Sequence, residues 1–196
     1  MAEWFIDRFF EEHFSEHLDP AQFGNTKGRS TLLALIKFMH TLYISADDCR
    51  NIIRILFVDF RKAFEIDHTV LRDKLEYYNF PPHLSRWLLT FFFFCSQFVK
   101  VGSSCSTTLS THAGAPQGTR AGPNVFKVLI NDLKFSLAAI KYVDDVTVVS
   151  VSSDPNNSDL QNAACNLSNW SNINTDKTNE MLIYFGNKCL TDVVPG

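Results

Sequence analysis

Two adjacent aspartates, Asp144 and Asp145, have the residue type and spacing for metal-dependent chemistry. They lie between the stretches Ala139–Lys141 and Val146–Val149, whose apolar alternation and β-branching predict two strands. The pair is therefore predicted at the tip of a tight hairpin. Two carboxylates on one rigid turn repel each other unless a cation lies between them. A solvated turn is the alternative interpretation of an isolated Asp-Asp pair.

A third aspartate makes the solvated turn a weaker explanation. The apolar strand predicted at Ile55–Val58 ends at Asp59. Oxygen ligands from two strand ends suit Mg²⁺, which prefers carboxylates, carbonyls and water. The sequence therefore predicts that Asp59, Asp144 and Asp145 converge to form one acidic cluster at the end of a sheet.

The elements that must position these residues follow from hydrophobic periodicity and from capping and breaker residues. Strands and helices are mixed along the chain, with antiparallel hairpins, and this order indicates an α+β sheet backed by helices. Helices are predicted over residues 4–17, 31–43 (capped by Ser30), 67–78, 83–95, 123–137 and 159–170, and strands over 52–60, 97–102, 107–111, 181–185 and the acidic hairpin.

The composition permits a folded enzyme and excludes several other classes of protein. The 196 residues fit one domain or one and a half, and the net charge of −3 neither favours nor excludes a nucleic-acid partner. The five cysteines have no C-x-x-C spacing and indicate reduced thiols in an intracellular protein. The histidines form no zinc motif. No apolar run is long enough to span a bilayer, and the N-terminal segment lacks the apolar core of a signal peptide.

Several sequence blocks, taken together and in order, identify a family that the chain resembles. The chain is similar to the reverse transcriptase domain of non-LTR retrotransposons over almost its whole length. The blocks that carry this resemblance are Leu18-Asp19-Pro20, Gln22-Phe23-Gly24, Gly28-Arg29-Ser30-Thr31, Asp59-Phe60-Arg61-Lys62-Ala63-Phe64, Gly114-Ala115-Pro116-Gln117-Gly118 with Gly122-Pro123, Ile130-Asn131-Asp132-Leu133, Tyr142-Val143-Asp144-Asp145 and Lys177-Thr178-Asn179-Glu180-Met181.

The resemblance implies the palm of a right-hand polymerase, an antiparallel sheet backed by helices, with part of the fingers and without the thumb. It implies a partial fingers region over residues 1–54, a palm region over 55–186 and a tail over 187–196. The implied activity is RNA-directed DNA polymerisation, in which a primer 3′-OH attacks the α-phosphate of a dNTP and pyrophosphate leaves. Other fingers parts, a thumb and an endonuclease are expected in a longer polyprotein.

The resemblance also assigns metal ligands. Asp59, Asp144 and Asp145 are expected to be catalytic and to hold two Mg²⁺ ions, which Mn²⁺ can replace. The backbone carbonyl of Phe60 is expected to be a further ligand. Two such ions about 3.5–4 Å apart activate the attacking hydroxyl and stabilise the leaving oxygens.

Nucleotide contacts are carried over from the family residue by residue. Phe64 is expected to lie against the sugar of the dNTP and to exclude a 2′-OH, with a core phenylalanine as the alternative. Gln117 and Gly118 are expected to contact the sugar and phosphate, although Gln117 can also be a plain loop amide. Lys177 is expected to neutralise or protonate the pyrophosphate, and a surface lysine is its alternative.

An RNA template and a DNA primer are the partners that the resemblance implies. Lys27 and Arg29, in a glycine-rich loop, are expected to meet template phosphates, or else to be solvated surface charges. Tyr142 is also expected to contact nucleic acid. The protein is expected in the nucleus and cytoplasm, neither secreted nor bound to a membrane.

The chain departs from the family pattern at several places. It is expected to begin after the finger residues that grip the triphosphate and to end before the primer grip and thumb. The segment Phe64–His68 is one residue shorter than in the family. Cys95 and Phe98 stand where the family has arginines, and Lys127 puts a charge on an apolar helix face.

These departures leave alternatives open. A decaying element copy and a mis-joined gene model both fit them. A catalytically inactive retroelement remnant with weak nucleic-acid binding is therefore the alternative function. An RNA-templated RNA polymerase shares the palm chemistry, but Phe64 at the gate position and the Gln22-Phe23-Gly24 and Pro116-Gln117-Gly118 blocks favour the DNA-making enzyme.

Overall fold

A computed structural model describes residues 2–61, 67–93, 96–110 and 118–184. A π-helical turn (Phe10–Phe14) and a 3₁₀ turn (Ser15–His17) continue the first helix. The helices are α1 (Ala2–Phe9), α2 (Thr31–Ala46), α3 (His68–Tyr77), α4 (Pro82–Phe93), α5 (Ala121–Ile130) and α6 (Asp159–Trp170). The strands are β1 (Ile52–Val58), β2 (Ser96–Gln97), β3 (Lys100–Val101), β4 (Ser104–Cys105), β5 (Leu109–Ser110), β6 (Ala138–Tyr142), β7 (Asp145–Ser152) and β8 (Asn179–Tyr184).

An antiparallel sheet of four described strands, in the order β6-β7-β1-β8, carries the predicted aspartates. Strand β1 pairs along its whole length with β7, from Ile52 opposite Ser152 to Val58 opposite Val146. On its other side, β1 pairs with β8. Most of the apolar residues that predicted β1 and β7 are buried, which is how β-branching favours a pleated, packed surface, whereas Met181 in β8 is exposed.

Chain packing divides the molecule into two compact units. The unit made of residues 19–61 and 133–196 contains the sheet. Ile53, Ile55 and Val149 form its buried cluster, against which Phe38 and Leu42 of α2 pack. Ser30 caps α2 as predicted, because its hydroxyl accepts a hydrogen bond from the backbone N–H of Leu33 at 3.2 Å.

The other unit, residues 1–18 and 62–132, is mainly helical. Lys127 lies in this unit, buried at 7% exposure, with its ammonium 5.7 Å from the centre of the Phe10 ring. Burial lowers the pKa of Lys127, although the charges of Asp7 and Glu11 oppose that shift. The positive charge that Lys127 places on this apolar helix face therefore lies over the ring of Phe10. The apolar core comprises Ile6, Phe10, Phe14, Leu71, Leu75, Phe80, Leu88, Phe92, Ala121, Val125 and Val128.

Two elements differ from the sequence-based expectation. The helix predicted to reach about residue 137 ends at Ile130. Asn131 is instead buried, and its amide donates hydrogen bonds to the His17 carbonyl at 2.9 Å and to the Tyr78 hydroxyl at 3.0 Å, so a polar anchor ends the helix. The hairpin predicted around residues 97–111 is present, and it contains an inner ladder as well, β3 with β4.

The predicted division into residues 1–54, 55–186 and 187–196 stays a prediction. The two compact units interleave along the chain, whereas that division was sequential and based on function. Phe98 in the hairpin is 57% exposed, so the apolar surface expected there is present. Among the described residues, no helix has both the length and the apolarity needed to cross a bilayer.

Candidate active site

Sheet register brings the predicted aspartates to one end of β1 and β7. Tyr142 and Asp145 are paired across β6 and β7, so Val143 and Asp144 form the two-residue turn between these strands. The ladder between β1 and β7 ends where Val58 pairs with Val146. Continued by one residue, this register sets Asp59 opposite Asp145.

The hydrogen bonds of Asp59 show whether it could also hydrogen-bond to Asp145 through the backbone. The backbone N–H of Asp59 donates to Thr178 Oγ1 at 3.3 Å, on the side of β1 away from β7. Asp59 and Asp145 therefore occupy a position without mutual backbone hydrogen bonds. At such positions the two Cα atoms lie about 4.5 Å apart and the side chains come closer than elsewhere in the ladder.

The surroundings of Asp145 disfavour its charged form. Partial desolvation and, after it, the negative charges of Asp144 and Asp59 raise the pKa of Asp145 above its usual value. Asp145 remains exposed to solvent, so water screens part of this repulsion. A divalent cation beside Asp145 would offset these charges and favour its ionised form.

The donor set fits a hard cation in its chemistry, since it consists of carboxylate oxygens at two adjacent strand ends. Across the described ranges, however, no group of three His, Cys, Asp or Glu side chains is gathered closely enough to hold a metal ion. The convergence of Asp59, Asp144 and Asp145 around an ion thus stays a prediction. The structure shows two adjacent strand ends that carry these residues and a raised pKa at Asp145.

The hydrogen bonds on either side of Phe60 define the direction of its backbone groups, and its assignment as a metal ligand stays a prediction. Asn174 N–H donates to Asp59 O at 2.8 Å, and Arg61 N–H donates to Asn172 O at 3.0 Å. These bonds flank the bridge between Phe60 and Ile173, so the N–H and C=O of Phe60 itself point away from Ile173. They face the side of β1 on which β7 lies.

The turn that carries Asp144 is held in a strained conformation. Val143 has φ = +58°, in the left-handed region that β-branched residues rarely adopt. Gly24 lies against this turn so closely that a Cβ at position 24 would overlap the Val143 backbone nitrogen. The glycine of the Gln22-Phe23-Gly24 block is therefore required for close approach to the acidic turn.

The same block pairs with β6 as a short parallel bridge. Phe23 N–H donates to the Lys141 carbonyl at 2.7 Å, and Lys141 N–H donates to the Ala21 carbonyl at 2.8 Å. The Lys141 side chain is fully buried, and its ammonium lies 2.6 Å from Asp19 Oδ2 and 2.9 Å from the Leu133 carbonyl. We call residues 19–24 the strap, since they fasten β6 immediately before its acidic turn.

The sequence reasoning did not assign functions to Asp19, Lys141 or Asn174. Asn174 Nδ2 donates a hydrogen bond to Asp59 Oδ2 at 2.9 Å. A signal for Lys141 exists in the sequence, because a lysine at an inward position of an otherwise apolar strand requires a buried anionic partner. The sequence contains no such signal for Asn174, because an asparagine in a polar loop is common and does not indicate a partner.

The remaining predicted residues are placed as follows. Phe64 and Gln117 lie outside the described residues. Gly118 has φ = +81°, a conformation that glycine adopts without strain. Lys177 is exposed, and Tyr142 is half-buried beside the acidic turn.

The two basic residues predicted to contact template differ in their surroundings. Lys27 is exposed. Arg29 is half-buried and is used within the protein, since its Nη1 donates to the carbonyls of Pro20 at 2.5 Å and Gln22 at 3.0 Å. Its guanidinium also lies 4.9 Å from the centre of the Phe23 ring. A structural role in the strap is therefore shown for Arg29, and its contact with template stays a prediction.

Comparison with known proteins identifies this arrangement. The family model described as reverse transcriptase (RNA-dependent DNA polymerase) matches residues 3–190. The chain belongs to the reverse transcriptase family. No curated protein sequence matches it significantly.

A solved structure shows the fold independently. The apo telomerase from Candida tropicalis, truncated from its C-terminal domain, aligns with 95% of this chain at a TM-score of 0.61 and 9% sequence identity. The reverse transcriptase domain described here spans 40% of that telomerase chain. The α+β polymerase fold is therefore confirmed. The family in general uses divalent metal ions, which agrees with the acidic pair at the strand ends.

Proposed function

We propose that this reverse transcriptase domain is the palm, with part of the fingers, of an RNA-directed DNA polymerase that adds dNTPs to a primer 3′-OH. The observation that supports the proposal most directly is the β1–β7 ladder, which ends with Val58 opposite Val146, so that Asp59 and Asp145 adjoin its last pair and Asp144 lies in the next turn. The pKa of Asp145, raised first by partial desolvation and then by the negative charges of Asp144 and Asp59, supports a cation as a partner of this cluster.

In this proposal, Asp59, Asp144, Asp145 and the carbonyl of Phe60 hold two Mg²⁺ ions, and Mn²⁺ can replace them. When bound, such ions activate the primer hydroxyl and stabilise charge on the leaving oxygens. The chain's own contribution is to fix the carboxylates on two hydrogen-bonded strands, so that they require little reorganisation during the reaction.

Further residues are proposed to bind the nucleotide and the primer–template. Phe64 excludes a 2′-OH, Gln117 and Gly118 contact the sugar and phosphates, and Lys177 assists the pyrophosphate. Tyr142 and Lys27 contact nucleic acid. We further propose a non-LTR retrotransposon origin, within a longer intracellular polyprotein that also carries a thumb and an endonuclease.

One observation favours the alternative of an inactive remnant with weak nucleic-acid binding. In the described part of the chain, no three metal-ligating side chains are gathered around one point. A remnant would leave Asp59, Asp144 and Asp145 without affinity for divalent cations. Metal titration therefore distinguishes the two functions.

The experiment combines that titration with primer extension. Mn²⁺ and Mg²⁺ are expected to raise the melting temperature of the parent chain by mass action, and not that of an Asp144→Asn/Asp145→Asn variant. Primer extension on an RNA template, with dNTPs and Mg²⁺, then tests activity in the same two proteins. Identical melting curves with and without millimolar divalent ion in the parent chain would contradict the proposed polymerase site.

The expectation from the sequence is that this chain alone shows no processive extension. Extension by the parent chain that the double variant abolishes would refute that expectation and place the complete activity in these 196 residues. A Phe64→Val variant of an extending protein is expected to accept ribonucleotides more readily, because removal of the ring opens the space of a 2′-OH.

A further inference from the structure

A single loop, residues 171–178 between α6 and β8, holds Asp59 at three points. The Asp59 backbone N–H donates to Thr178 Oγ1 at 3.3 Å, and its carbonyl accepts from Asn174 N–H at 2.8 Å. The third point is the side chain, where Asn174 Nδ2 donates to Asp59 Oδ2 at 2.9 Å. The loop thus fixes both the backbone and the carboxylate of Asp59.

Asn174 is itself held in place by the turn that it begins. Its carbonyl accepts hydrogen bonds from Lys177 N–H at 3.1 Å and Thr178 N–H at 2.9 Å. The neighbouring bridge between Ile173 and Phe60 and the contact of the Phe60 ring with Trp170, 5.6 Å between centres, fasten the loop to the end of β1. The amide is therefore a pre-positioned donor.

The hydrogen bond engages one carboxylate oxygen and leaves the other for a ligand. Among the described residues, Asp59 Oδ1 accepts no hydrogen bond, whereas Oδ2 accepts that of Asn174. A neutral amide orients the carboxylate without neutralising its charge, which a lysine or arginine in the same place would do. This is the relation between an outer-shell group and a metal ligand, in which the outer group sets the orientation of the ligand.

We infer that Asn174 is a positioning residue for Asp59, whose free oxygen it orients towards the position of a divalent cation shared with the Asp144–Asp145 turn. The inference rests on the proposed polymerase site. It adds that the loop before β8 contributes to cation affinity through Asp59, although Asn174 itself does not contact the cation.

The test is Mn²⁺ binding to the whole chain, measured by electron paramagnetic resonance of the free ion. Asn174→Ala removes the donor, and Asn174→Leu removes it while keeping most of the side-chain volume. Asn172→Ala is the matched control, because this exposed asparagine lies in the same loop and, among the described residues, hydrogen-bonds only through its backbone carbonyl, to Arg61 N–H. Asp59→Asn removes the charge of a proposed ligand, and its Mn²⁺ affinity shows how large the loss is when a ligand itself is changed.

We expect the parent chain and Asn172→Ala to bind Mn²⁺ equally. Both Asn174 variants should bind about 10–100-fold more weakly, as is typical when an outer-shell partner of a ligand is lost. Thermal melts without metal should differ little between Asn174→Leu and Asn172→Ala. A metal affinity in Asn174→Leu equal to that of the control would overturn the inference and leave the proposed function intact.

Two further outcomes are decisive. If the parent chain and Asp59→Asn both fail to bind Mn²⁺, the proposed polymerase site and the inference fall together. If both Asn174 variants fail to fold, the side-chain amide resonance of Asn174 in the parent chain is followed by NMR during titration with diamagnetic Mg²⁺. A shift in step with binding supports the positioning role, and an unchanged resonance at saturation refutes it.

Discussion

Asp145 experiences the like charges of Asp144 and Asp59, and this has a consequence for stability. The pKa of Asp145 is raised in the folded state, first by desolvation and then by these charges, so folding disfavours its ionised form. Asp145→Asn is therefore expected to stabilise the metal-free protein at pH 7. The gain should be near the low end of about 0.2–1 kcal/mol, the size of favourable cross-strand pair energies, because Asp145 is exposed and water screens its charge.

The pH dependence of this gain gives the check. The advantage of Asp145→Asn is present above the raised pKa and disappears as the pH falls below the ordinary value of 3.8, where Asp145 is protonated in both states. Urea denaturation without divalent ions measures it, with Asp176→Asn, an exposed loop residue, as the control. A lower stability of Asp145→Asn at pH 7 would show that the carboxylates do not repel one another.

At the residue scale, the sequence predicted those features that depend on neighbouring residues in the chain. Asp59, Asp144 and Asp145 each follow or interrupt a strongly apolar strand, so their position at strand ends was readable. The hydrogen bond of Asn174 to Asp59 was not, because the two residues are separated by 115 positions and a loop amide has no local signature. Phe64 and Gln117 remain predictions.

At the scale of elements, the strap explains why Gly24 is required. Gly24→Ala places a methyl group against the Val143 backbone, so the acidic turn must shift. We expect a loss of about 1–3 kcal/mol in the free energy of unfolding, the usual cost of overpacking, together with weaker Mn²⁺ binding.

Gly28→Ala is the matched control for this prediction. Gly28 has φ = +73° and open space around its Cα, so alanine there should cost about 1–2 kcal/mol through backbone strain alone. Denaturation and Mn²⁺ binding together separate the two variants, since Gly28→Ala should keep its metal affinity. Equal metal affinities in both variants would mean that the strap does not position the turn.

The buried ion pair of the strap makes a second prediction at this scale. Burial by itself raises the pKa of Asp19, but hydrogen bonds from Lys141 and Ala21 and the charges of Lys141 and Lys134 outweigh it, and the pKa is lowered. Lys141→Met leaves a buried carboxylate without its main partner and should cost about 3–5 kcal/mol. Adding Asp19→Asn should recover most of this loss.

A double-mutant cycle by urea denaturation measures the coupling between Asp19 and Lys141. Because the pKa of Asp19 is lowered, the stability that it contributes is present above its ordinary value of 3.8 and is lost as the pH falls through the folded value. Additive effects of the two substitutions would contradict a coupled pair.

Element boundaries were predictable only where local residues decide them. Ser30 and the apolar run after it marked the start of α2, and Asp159–Trp170 was predicted with the bounds that α6 has. The end of α5 was missed, since Asn131 ends it through contacts with His17 and Tyr78, which are distant in sequence. The register between β1 and β7 could not be predicted from local pattern either, because it pairs residues that are far apart in the sequence.

For the whole molecule, the order of the sequence blocks was enough to predict the family and the fold. The structural match to telomerase, at 9% identity, shows that the fold follows from this order of elements while most residue types differ. The interleaving of the two compact units was not predictable, since it depends on packing between segments far apart in sequence.

Binding of nucleic acid is a property of the whole charge distribution, and the chain has a net charge of −3. Its affinity for an RNA–DNA duplex must therefore come from local basic residues. We expect dissociation constants of about 10⁻⁴–10⁻⁶ M at physiological salt, the range of non-specific contacts with phosphates. Lys27→Ala should lower the slope of log affinity against log salt concentration by about 1, as for one lost phosphate contact.

Fluorescence anisotropy with a labelled duplex across a salt series measures this slope. Arg72→Ala makes the same change in net charge at an exposed arginine that is not predicted to contact the template, so the slope should not change. Arg29→Ala should lower the melting temperature, because Arg29 holds the carbonyls of Pro20 and Gln22. An equal decrease in slope for Lys27→Ala and Arg72→Ala would mean that overall charge, and not a phosphate contact at Lys27, governs binding.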